Sequence, residues 1–202
     1  MIAATVSGVP VPVAEVDARE AGLRDGPLAA ALPAAGTSEG RQLRRWLTQL
    51  IVTERVVAAQ AAALGVDGQD APSEAELLPD TTARLEIGSI AAAALSDACA
   101  RALFARVTAA VDVSDDDVAG YHARNPLRFA ATGPDRDGWG APPVAAPPLH
   151  QVRALIVDHL RDAARRGAFR VWLDQRRAEL VQLAPGYEHP GDPRQPDNTH
   201  RH

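Results

Sequence analysis

The stretch "GRQLRRWLTQLIVTERVVAAQAAALG", residues 40–65, constrains the fold more than any other part of the chain. Leu43, Trp46/Leu47, Leu50, Val57, Ala61 and Leu64 recur there at the spacing that gathers apolar side chains on one face of an α-helix. Arg44, Arg45, Glu54 and Arg55 are expected on the other side, and Gly65 is placed as the C-terminal stop. A long amphipathic helix of this kind needs a long partner to cover its apolar stripe.

Candidate partners follow along the chain. "TTARLEIGSIAAAALSDACARALFARVTAAV" predicts a second long helical run, with a middle so rich in small residues that another helix can approach closely. In "VSDDDVAGYHARNPLRF", Ser114 is a helix cap, Asp115 to Asp117 suit the positive N-terminal end, and Asn125-Pro126 stops the helix. "LHQVRALIVDHLRDAARRGAFRVWLDQRRAELV" predicts the last helix, with Val152, Ile156, Leu160, Phe169, Leu173 and Leu180 on its apolar side. Its arginine-rich run reads as a solvated face, and His159 as a core histidine. Tyr121 and His122 read as structural residues rather than an acid/base pair.

The connections are equally legible. Residues 3–13 predict a short strand and turn, with Pro10 and Pro12 confining any strand to an edge. A short helix follows in "AEVDAREAGLR" and ends at Gly26-Pro27, and a loop with at most one broken helical turn leads to the long helix. Residues 66–80 are a polar connector in which "SEAE" supplies a capping box. Residues 130–148 are too rich in Pro and Gly for regular structure, and "VQLA" after the last helix is a candidate strand. The expected fold is therefore mainly α, with long packed helices and a minimal N-/C-terminal strand pair. Residues 1–183 form one helical domain, and residues 184–202 form a His/Asp/Pro-rich tail.

Composition narrows the function. Hydrophobic content is 46%, but much of it is alanine and only 4% of residues are aromatic. Slender, closely packed helices are expected, with Leu, Val, Trp46, Phe104, Phe169 and Trp172 supplying most of the core. The net charge of −5 argues against a nucleic-acid partner, which requires a basic face. Every basic side chain besides histidine is arginine, as in proteins of GC-rich genomes. Cys99 is the single cysteine, so no internal disulfide forms, and its helical neighbours suggest a buried, inert thiol. No stretch approaches the roughly 20 apolar residues of a membrane span. The N-terminus lacks the parts of an export signal, which for a complete chain implies a cytoplasmic protein.

The order of elements carries a resemblance. A leading "TVSGVPVPVAEVD", a helix ending "QAAALGV", then "VSDDDVAGYHARNPLRF" and the long final helix resemble the peptide-binding domain of the SurA, PpiD and PrsA chaperones. Those proteins open on "VNG..I", carry a helix of the pattern "vs.eev..yY..n...F" and end on a long helix with "v...I...L". The resemblance covers most of residues 3–183 through loose patterns, not catalytic signatures. It implies a helical core, a pairing of the N-terminal strand with "VQLA", and a tail docked on the body. This chain departs from the family where a parvulin-type prolyl isomerase domain would sit, since only Thr132 to Pro148 occupies that place. The resemblance thus implies a chaperone-like binder of an apolar polypeptide or partner protein, without isomerase activity.

The tail "GYEHPGDPRQPDNTHRH" raises an alternative. His189, Asp192, Asp197, His200 and His202 are of the ligand types that hold a divalent metal such as zinc, although their spacing matches no named zinc motif. His189, Tyr187 and Glu188 of the tail, with His150 beside the Pro/Gly-rich loop, are the candidates for acid/base catalysis. On that reading the chain is a small-molecule enzyme or a metal-binding accessory protein of a biosynthetic pathway. No glycine-rich phosphate loop or G-x-S-x-G elbow supports a more specific chemistry. Alanine-lined helices with exposed Val and Leu also suit a homodimer.

Overall fold

The structure, a computed structural model, describes residues 1–130 and 145–189. It is mainly helical, with one small antiparallel sheet of order β2-β1-β3. Strands β1 (Ile2–Val6) and β2 (Val9–Pro12) form a hairpin that turns at Ser7 and Gly8, both at positive φ, as a two-residue primed turn requires. Val6 pairs with Val9 and Ala4 with Val11, and a bulge interrupts the ladder between Ile2 and Ala4. Pro10 and Pro12 lie on the edge strand, where a missing N–H breaks no ladder bond.

Helix α1 (Val13–Arg24) and a 3₁₀ turn (Ala29–Ala31) lead to α2 (Ser38–Ala63). Thr37 caps α2, its hydroxyl accepting from the Gly40 N–H at 3.1 Å. At the other end Gly65 and Val66 donate to the carbonyls of Ala62 and Ala61, a Schellman closure. The burial of α2 is wider than its apolar stripe. Thr48, Gln49 and Thr53 are fully buried and Arg45 nearly so, whereas Leu64, expected on the inner face, is exposed. The helix is covered on several sides, by β1, α1 and three of the helices that follow it.

Residues 81–111 do not form one long helix. They divide into α4 (Thr81–Ile87), α5 (Ser89–Ala94) and α6 (Ala98–Val107), after the short α3 (Glu74–Leu77). The first break is Gly88, at φ 90 and ψ 149, a conformation open essentially to glycine alone. The second is Ser96-Asp97, where the Asp97 carboxylate accepts from the Ala100 N–H at 2.9 Å and starts α6. These breaks let short alanine-rich segments bend around α2 instead of running past it. The close approach expected of that middle is seen where α5 packs on α2.

Helix α7 (Asp115–Arg124) has a complete capping box between Ser114 and Asp117. Helix α8 (Leu149–Leu180) spans 32 residues, roughly 48 Å. It passes directly into β3 (Val181–Leu183), which pairs antiparallel with β1, Val6 opposite Val181 and Ala4 opposite Leu183. The first half of α8 packs on α7 through Val118, Val152 and Ile156. The second half closes the main core, where Phe169 lies 5.0 Å from Phe104 and 5.6 Å from Trp172 between ring centroids. The arginine-rich run of α8 is less solvated than its composition suggests. Arg166 is buried and paired with Glu86 at 2.8 Å.

Candidate functional site

Two concave sites border this core. The first is a cleft of about 450 Å³ between α2 and the α5–α6 corner. Val57, Ala58, Ala94 and Ala100 supply its apolar wall, and Glu54 and Asp97 are its acidic residues. It exists because the residues facing α2 are alanines, which leave space where larger side chains would interdigitate. Cys99 also lines it, half-buried, with its thiol 3.6 Å from the Val66 carbonyl. Both acids already have partners: Glu54 pairs with Arg19, and Asp97 caps α6.

The second is built where the chain leaves β3. The Ala184 N–H donates to the Ala3 carbonyl at 2.9 Å, continuing the strand direction. Arg45 Nε then donates to the Gly186 carbonyl at 3.2 Å, and Gln49 Nε2 to the Tyr187 carbonyl at 3.0 Å. Arg177, from the last turns of α8, donates to Gln49 Oε1. A fully buried glutamine therefore joins α2, α8 and the start of the tail. The Tyr187 side chain packs against the main core, close to Arg44. Burial opposes the charge of Arg44, but Asp17, Glu20 and Tyr187 outweigh it and its pKa is raised. Burial lowers the pKa of Arg177, and the charge of Asp174 opposes this only in part.

Beyond this clamp, His189 lines a pocket of about 260 Å³ between the α4–α5 junction and α8. Ile87, Ile90 and Leu173 form its apolar wall, and Arg170, Arg177 and Asp174 its charged one.

The residues expected to act together are only partly brought together. Tyr187, Glu188 and His189 are consecutive, and they lie beside the end of α8. Glu188 turns back to accept from the Gly186 N–H at 2.8 Å. His150 is exposed in the first turn of α8, roughly 40 Å along the helix from Arg177, the pocket neighbour of His189. It takes no part in a site with them. The remaining metal candidates, Asp192, Asp197, His200 and His202, lie outside the described residues, among which no cluster of metal-ligating side chains is found. His122 bonds the Pro147 carbonyl at 2.9 Å, while Tyr121 and Phe129 enclose the His159 ring, so these are packing groups.

Sequence patterns alone missed Arg45, Gln49 and Arg177. The available signal was Gln49, a polar residue inside the run "LTQLIV" where the helical period calls for burial.

Fold and sites thus define a mainly helical protein, with a small sheet tying the start of the chain to the end of α8. The model of a family of unknown function (DUF7158) matches residues 2–39, the hairpin, α1 and the loop into α2. No curated protein and no solved structure matches the chain. No helix among the described residues is long and apolar enough to cross a membrane.

Proposed function

We propose that this protein is a chaperone-like scaffold that binds an apolar polypeptide segment and has no prolyl isomerase activity. The observation that carries this reading is the cleft between α2 and the α5–α6 corner. Its volume falls in the range of ligand-binding clefts, and its wall is apolar. The chain is acidic overall, which favours a segment with arginine or lysine beside its apolar side chain. The resemblance to the SurA-like peptide-binding domain, with Thr132 to Pro148 in place of an isomerase domain, supports the same reading.

Ala58 is exposed at the cleft wall, so Ala58→Trp fills the cleft without entering the core. Binding of a fluorescent apolar-basic peptide library, followed by anisotropy, should weaken about tenfold or more in that variant. Equal binding by both proteins would remove the cleft from consideration. A second reading, a small-molecule site at the start of the tail, is favoured by His189 lining a pocket with two arginines.

A further inference from the structure

We infer that the pocket between the α4–α5 junction and α8 binds the carboxylate of a small organic monoanion, held between Arg170 and Arg177 with its apolar body against Ile87, Ile90 and Leu173. This takes up the small-molecule reading and is independent of the peptide cleft.

Many arginines of the described structure are ion-paired, including Arg166 of α8 with Glu86. Arg170 and Arg177 are held by neutral acceptors instead. Arg170 Nη1 donates to the Glu86 carbonyl at 3.2 Å, and Arg177 donates to the Gln49 side-chain oxygen. These bonds fix the orientation of the two cations without neutralising them. Arg177 Nε is buried with no hydrogen-bond partner among the described residues. Two arginines lining one partly apolar pocket supply donors of the kind that planar carboxylates accept.

The charge balance sets the ligand class. Asp174 also lines the pocket, so two guanidiniums and one carboxylate leave about one net positive charge. A monoanion balances that charge, whereas a phosphate dianion would leave the pocket with a net negative charge. The pocket volume of about 260 Å³ limits the body to a fragment-sized group. Ser89, on its exposed rim, adds a hydroxyl within the same lining.

The test is calorimetric titration of the full chain with benzoate, with benzamide as its uncharged counterpart, and with inorganic phosphate. Benzoate should bind saturably and more tightly than either. Arg170→Gln, at an exposed position, should weaken benzoate about tenfold, the effect of losing one charge-assisted bond. Ser89→Trp should block the slot sterically, and Ala58→Trp should leave benzoate binding unchanged, which separates this pocket from the peptide cleft. Absence of benzoate saturation at about 10 mM would overturn the inference. So would unchanged binding in both Arg170→Gln and Ser89→Trp. Phosphate binding as tightly as benzoate would overturn the ligand class. A tripeptide that binds through its free C-terminal carboxylate more tightly than benzoate would overturn its assignment to a free small acid.

Discussion

Gln49 illustrates what a single residue does here. It has no solvent exposure, accepts from Arg177 and donates to the Tyr187 carbonyl, so it satisfies partners on two other segments. Gln49→Leu keeps roughly the volume and removes both bonds, leaving the Arg177 cation without its acceptor. We expect a loss of about 2–3 kcal/mol in urea unfolding, with faster amide exchange over residues 184–189. Unchanged exchange there would mean that the tail is held by other contacts. Glu20 supplies the pH-sensitive counterpart. Burial works against its charge, but hydrogen bonds from Arg24 and Arg44 prevail and lower its pKa. A depressed folded-state pKa gives stability that is complete above the unfolded value, about 4.3, and is lost as pH falls through the folded value. Glu20→Gln should therefore be less stable than wild type at about pH 7, and the gap should close as pH falls below the unfolded value. A constant gap would assign the role of Glu20 to packing.

At the scale of elements, Gly88 decides how the alanine-rich region folds. An added Cβ would meet nothing within 4 Å, so any cost of substitution is conformational and not steric crowding by neighbours. Gly88→Ala should destabilise by about 1–3 kcal/mol, because φ 90 with ψ 149 is closed to alanine. Near-wild-type stability would mean that α4 and α5 can merge into one helix, as the unbroken period of residues 81–94 suggests. The capping box of α3 and the Ser114 cap of α7 were readable because capping depends on residues only a few positions apart, and the reciprocal bond from Asp117 completes a second box. The breaks at Gly88 and Ser96-Asp97 were not readable. An isolated glycine is tolerated inside a helix, and its φ is set by what the flanking segments must reach.

At the scale of the molecule, α8 ties together two hydrophobic clusters of unequal size. The smaller, around Val118, Val152 and Ile156, holds α7 against the first half of α8. The larger holds the sheet, α2 and the α4–α6 region against the second half. Such a division predicts opening in two stages. Val118→Ala should speed exchange of the α7 amides while protection of α2 stays near its wild-type level, as read by native-state hydrogen exchange. Equal loss of protection in both helices would mean one cooperative unit.

The sequence by itself determined where α2, α7 and α8 begin and end within a residue or two, which strand must lie on an edge, and that a short strand can follow α8, while its pairing with β1 was implied only by the family resemblance. Those features depend on neighbours three or four residues apart, on missing N–H groups and on strand patterning, all local. Only the tertiary structure decided that Arg45 and Gln49 face inward, that His150 stands at the far end of α8 from His189, and that two arginines meet at one slot. These depend on which surfaces of distant segments come together, and a polar side chain carries no local mark of the carbonyl it will meet across the core.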